Sequence, residues 1–177
     1  MNAFYNGVLN ASNSIDGVDN PKIKYIINTI EAKSTEKFIV YSALMDAGVN
    51  ILKEALREAS IKAVYITGEQ TIANKENAKK YFNGYDFKNP NFFNKSQIDD
   101  KNLKYINSDY RVLIITKAGA EGVDTVNCNN IILLDGQWNN AFTEQIVARA
   151  IRFKSHFGLP VPQRFVNVIR PLLIKPG

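Results

Sequence analysis

The sequence predicts an α/β fold, a parallel sheet with helices on both faces. Short unbroken apolar runs alternate with segments of helical period: KFIVYS, AVYIT, VLIIT, IILLD and FVNVI are the runs. A strand that is apolar at every residue, not every second one, is buried on both sides, as strands of parallel sheets are. Polar residues and glycines follow four of these runs, at the ends where ligands sit in such sheets. These are Ser42, Gly68, Thr116 to Asp124, and Gln137 to Asn140, and their common placement predicts one shared site.

Residues 1–20, ending DGVDNP, read as a linker or the trailing edge of a preceding domain. PKIKYIINTIEA follows as a helix with Pro21 at its first position and Ile23, Ile26, Ile27 and Ile30 on one face. Phe38 to Tyr41 form the first strand. DAGVNILKEALREA is a second amphipathic helix, with Asp46 near its start and Val49, Leu52 and Leu56 inward. Ala63 to Thr67 are the next strand, ended by Gly68, and a helix covers Asn74 to Phe82.

The stretch at about 83–110 is rich in Asn and aromatics and is broken by Pro90, which predicts an inserted loop. Its aromatics either stack on bases or anchor the loop to the domain. Strands Val112 to Thr116 and Ile131 to Asp135 then flank KAGAEGVD, and Phe165 to Ile169 supply the last strand. Between them TEQIVARAIRFKSH predicts a helix over Thr143 to His156. Gln145, Arg149 and Arg152 share one side of it, because each residue turns the chain by about 100°. Ile146, Ala150 and Phe153 form an apolar stripe beside them.

Composition bounds the function. A chain of 177 residues with 45% hydrophobic and 22% charged residues makes one globular domain with a real core. No apolar run approaches the roughly 18 residues of a membrane span, and no secretory signal opens the chain. The net charge of +5 permits nucleic-acid contact without demanding it. One His and one Cys cannot assemble the usual zinc site, so no metal ligands are expected. Cys128 reads as a small buried side chain and His156 as a structural residue of the turn after the last helix. No GxxxxGK[ST] loop and no GxGxxG are present, so nothing cradles a triphosphate alone.

In combination these residues resemble the second RecA-like domain of superfamily 2 helicases and translocases. KFIVYS resembles motif IV, and ITKAGAEGVD resembles motif V as found in Swi/Snf-type translocases. LLDGQWNNAFTEQIVARAIRFKSH resembles the stretch through motif VI. The tail SHFGLPVPQRFVNVIRPL is similar to the helicase-like proteins of large cytoplasmic DNA viruses, poxvirus nucleoside triphosphatases among them. The resemblance covers about residues 21 to 175.

It implies a RecA-like domain over 21–177 and a role for each matching residue. Arg149 and Arg152 match the motif VI arginines, with Arg152 as the arginine finger for the γ-phosphate and Gln145 positioning the finger or the attacking water. Gly122 and Asp124 match the nucleotide-facing end of motif V. Ser42, Gly68, Thr116 and Lys117 fall where relatives contact the nucleic-acid backbone. ATP with magnesium would be held mainly by a first, N-terminal RecA-like domain whose motifs this chain lacks, so the chain alone is expected to be inactive. The implied partners are that domain and DNA or RNA, in an intracellular setting, host cytoplasm or virion if viral. Taken singly, the arginines read as surface cations paired with Glu144 or the acidic loop, Asp124 as a turn cap, Lys117 as a solvated cation, and Trp138 as a packing anchor. Asn140 stands where relatives have the Pro of "WNP", and Ala148 where many have Gly. The alternative function is a non-catalytic RecA-like module that binds nucleic acid or a transcription complex.

Overall fold

A computed structural model describes residues 20–83, 109–135, 140–152, 155–157 and 159–172. Five parallel strands lie in the order β2-β3-β1-β4-β5. They are β1 (Lys37–Tyr41), β2 (Ala63–Ile66), β3 (Val112–Ile115), β4 (Cys128–Leu133) and β5 (Asn167–Ile169). The helices are α1 (Pro21–Ala32), α2 (Ile51–Glu58), α3 (Ile72–Asn83), α4 (Lys117–Ala120) and α5 (Asn140–Ala150).

Burial on both faces explains the unbroken apolar strands. Ile39, Tyr41, Val64, Ile66, Leu113, Ile115, Ile131 and Leu133 pack on one face with Ala78 and Phe82 of α3 and Ile146 and Ala150 of α5. Alternate residues, Phe38, Val40, Val112, Ile114 and Ile132, pack on the other face with Ile23, Ile26 and Ile30 of α1 and Leu52 and Leu56 of α2. The Asn20 side chain accepts from the Lys22 N–H and caps α1, with Pro21 at the first position.

Several boundaries differ from the sequence reading, each for a physical reason. A wide π-turn over Met45–Asn50 precedes α2, closed by Val49 N–H to Leu44 C=O at 3.0 Å. Gly48 sits there because a side chain would collide with Ser42 Oγ. β4 starts at Cys128, ahead of the expected Ile131, because two buried asparagines are satisfied inside the fold. Asn129 donates to Gln163 C=O at 2.8 Å and Asn130 to Glu36 Oε2 at 2.7 Å. The arginine helix ends at Ala150, so Arg152 stands in the turn beyond it. Ser155 makes that stop: its Oγ donates to Ala150 C=O at 2.9 Å and its N–H to Arg152 C=O at 2.8 Å. The linker at 1–19 and nearly all of the expected insertion lie outside the described residues, as do Trp138 and Phe153.

Candidate functional site

Of the polar clusters expected to share one site, Gln137 to Asn139 lie outside the described residues, and the others separate into two. The first lies at the carboxyl ends of the strands. Helix α2 follows β1 on one face and α5 follows β4 on the other, so neighbouring β1 and β4 form a topological switch point. A buried carboxylate closes it. Asp135 Oδ2 accepts from Ser42 Oγ at 2.8 Å and from Ala43 N–H at 2.5 Å. Lys22 of α1 faces the same carboxylate; burial lowers its ammonium pKa below the ordinary value and Asp135 opposes that shift. Ser42 is thus wholly buried with its hydroxyl turned inward, and it shapes the loop after β1.

Beside it, the loops after β2 and β3 are pressed together. Thr116 accepts a bond from Gly119 N–H at 3.3 Å and caps α4, while its own N–H reaches Ile66 C=O at 3.2 Å. Any side chain on Gly119 would run into that Ile66 carbonyl, and a Cβ on Gly68 would lie 2.8 Å from Ala118 Cβ. Gly68 and Lys117 remain exposed at this edge.

The second group gathers at the opposite, amino-terminal end of the sheet. Helices α3 and α5 return antiparallel to the strands on one face, so their last turns arrive there together. Between them passes the segment from α4 to β4. Gly122 takes φ of 72°, the left-handed region that glycine occupies freely. Asp124 pairs with Arg152, Oδ1 to Nη1 at 2.5 Å. Asn83, the last residue of α3, donates to Asp124 C=O at 3.1 Å and accepts from Val126 N–H at 3.0 Å. On the other side Asn127 N–H reaches Ser155 C=O at 2.8 Å, and His156 Nε2 lies 2.7 Å from Cys128 C=O. His156 is structural, as its position after the helix predicts.

The floor of this end is buried and partly cationic. Lys37 donates to Phe82 C=O at 2.7 Å, near the partial negative end of α3. Burial pushes its ammonium down to about 8 and the buried Cys128 thiol up to about 12. Gln145 is exposed on α5 and Arg149 half-buried in its last turn.

Comparison with known proteins decides the family. The helicase conserved C-terminal domain model matches residues 21–154. The chain belongs to this family. It is 29% identical over 178 residues to nucleoside triphosphatase I of Choristoneura fumiferana entomopoxvirus, covering 95% of this chain and 25% of that protein. It is 26% identical over 177 residues to a proposed ATP-dependent RNA helicase of Acanthamoeba polyphaga mimivirus, covering 99% of this chain and 34% of that protein. The chain therefore spans a quarter to a third of the length of these relatives. Among solved structures, the C-terminal part of the Fun30 ATPase domain superposes with a TM-score of 0.64 at 18% identity, covering 89% of this chain and 42% of that one. The Escherichia coli DEAD-box protein SrmB, bound to regulator of ribonuclease activity A, gives 0.59 at 17% identity, covering 84% and 68%. Both share the RecA-like fold.

Within this helicase C-terminal domain, Asp124, two residues after Gly122, meets Arg152 at one end of the sheet, and Thr116 with Gly68 and Lys117 stands apart at the other. Sequence reasoning missed Asp135, Asn83 and Ser155. A carboxylate closing an apolar strand was a usable signal for Asp135. Asn83 and Ser155 act through backbone bonds to distant segments, and their types carry no such signal.

Proposed function

We propose that this domain is the second motor domain of an ATP-dependent helicase or translocase, supplying the arginine finger and part of the nucleic-acid track. The observation that carries the reading is the convergence of Arg152 with Asp124 and Gly122 inside a helicase C-terminal domain. Arg149 and Arg152 offer only donors, in a planar fork that matches phosphate oxygens. They fit the triphosphate and not its magnesium ion, which the N-terminal RecA-like partner domain would hold. Gly122 lets a nucleotide approach the backbone, since among the described residues nothing lies within 4 Å of a Cβ built there.

When the two domains close on ATP, Arg152 leaves Asp124 and stabilises charge developing on the γ-phosphate. Asp124 then accepts a bond from the ribose, and Gln145 orients the finger or the water. The exchange costs little, because an ion pair with both partners about half exposed is weak. Gly68, Thr116 and Lys117 meet the DNA or RNA backbone at the strand ends, and Ser42 holds the loop beside them.

The test is nucleic-acid-stimulated ATP hydrolysis by a protein containing both RecA-like domains, wild type against Arg152→Ala, with ATP binding measured in parallel. A loss in kcat of about 10³-fold with ATP still bound is expected of an arginine finger. Unchanged turnover would assign the domain to a non-catalytic module that binds nucleic acid or a transcription complex.

A further inference from the structure

We propose that Asn83 is a positioning residue for Arg152, acting through the loop that carries Asp124. Its amide grips that loop with both of its polar atoms. Nδ2 donates to Asp124 C=O at 3.1 Å and Oδ1 accepts from Val126 N–H at 3.0 Å. This is the pattern by which a neighbouring strand would read the same backbone, and it sets the loop in both position and rotation. The carboxylate of the gripped residue is the one that pairs with Arg152.

The clamp has a rigid base. Phe82 is fully buried, and its carbonyl accepts from the buried Lys37 at 2.7 Å, which fixes the last turn of α3 to the start of β1. The far side of the loop is held as well, through Asn127 N–H to Ser155 C=O and through Ser155 Oγ to Ala150 C=O. Two bonds of Ser155, from Oγ to Ala150 C=O and from its N–H to Arg152 C=O, run to the end of the arginine helix and set where Arg152 leaves it. Toward Gly122, by contrast, the chain turns through a left-handed glycine, and among the described residues nothing lies within 4 Å of a Cβ built there. Asn83 restrains Asp124 through its carbonyl and through the Val126 N–H two residues on. Arg152 sets out for the γ-phosphate from its pair with Asp124, so the residue that fixes Asp124 sets the starting position of the finger and acts on rate more than on substrate binding.

The inference rests on the finger reading of Arg152, and a double-mutant cycle separates the two. ATP turnover is measured in a protein containing both RecA-like domains, for wild type, Asn83→Ala, Arg152→Ala and the double variant, with thermal melting of each. Asn83→Ala is expected to lower kcat about tenfold with KM for ATP within about twofold, and to add nothing in the Arg152→Ala background. Asn83→Asp keeps the acceptor for Val126 N–H and loses the donor, so it is expected to fall between wild type and Asn83→Ala. It also serves if the alanine variant does not fold. An equal loss from Asn83→Ala in both backgrounds, or no loss in either while Arg152→Ala is inactive, would overturn the role of Asn83 and leave the finger standing. Full turnover in Arg152→Ala would remove the finger reading and this inference with it.

Discussion

Arg152 and Asp124 are joined by an ion pair of 2.5 Å although the whole of β4 and α5 lies between them in sequence. The pair joins the turn after α5 to the segment that follows α4. The Asp124 Oδ1 in the pair is buried, while the two side chains as wholes are 50% and 44% exposed. Such a pair gives direction to a side chain and contributes little to stability.

Asp124→Ala is accordingly expected to cost less than about 1 kcal/mol, a shift in Tm of no more than about 4 °C for a chain of this size. The shift should shrink as salt is added, because exposed charges are screened. Thermal melts of both proteins at low and high ionic strength check this; a loss several times larger would mean that the carboxylate carries structural bonds beyond the pair.

Two glycines of the same loop are expected to respond differently to alanine. At Gly119 the new methyl would meet the Ile66 carbonyl, which β2 holds in place, so the loop must shift at a cost of about 1 to 3 kcal/mol or more. At Gly122 no described residue stands in the way, and the left-handed φ of 72° opposes the change, at about 1 kcal/mol. Denaturant titrations of Gly119→Ala and Gly122→Ala would give this order; the reverse order would show that β2 yields.

Removing the carboxylate of Asp135 leaves Ala43 N–H without its acceptor, leaves Ser42 Oγ to donate to Leu44 C=O at 3.0 Å instead, and takes away the opposite charge near Lys22. Asp135→Ala is expected to destabilise by about 3 kcal/mol, and Ser42→Ala by about half of that. Urea unfolding measures both. Equal and small effects would show that water replaces the buried bonds.

Lys37 and Cys128 make opposite contributions to stability at alkaline pH. The Lys37 pKa is lowered from 10.5 to about 8, so between those values the unfolded chain holds more protons and stability rises with pH. The Cys128 pKa is raised from 9.0 to about 12, so its contribution is complete below 9.0 and is lost as pH climbs toward 12. The rise from Lys37 is on the order of 3 kcal/mol at most. Lys37→Met should abolish the rise between pH 8 and 10.5, and Cys128→Ala the fall above pH 9.0. Stability against pH for the three proteins is the measurement, and parallel curves would contradict both shifts.

The central strands β1, β3 and β4 and the helices α1 to α3 were legible because burial on both faces leaves an unbroken apolar run and burial on one leaves a helical period. The edge strands β2 and β5 expose Tyr65 and Val168 and were legible from their short apolar runs. Ile26, Leu52 and Ile114 sit where those patterns place them. The family was legible for a different reason: the resemblance rests on contiguous stretches, and KAGAEGVD and QIVARAIR each carry their spacing within one segment. The start of β4 was hidden, since Asn129 and Asn130 resemble a loop until Gln163 and Glu36 are there to receive them. The end of α5 was hidden too, because the apolar period runs on past Ala150 and only Ser155 stops it.

By itself, then, the sequence determined the fold class, the family resemblance and the identity of the charged groups, all of which reside in local pattern. Tertiary structure decided which of those groups meet. It sent Thr116 and Gly68 to one end of the sheet and Asp124 and Arg152 to the other, turned Ser42 inward to Asp135, and set Asn83 against the motif V loop. Those relations depend on hydrogen bonds and an ion pair between segments far apart in the chain, and a bond of that kind leaves no periodicity in either partner.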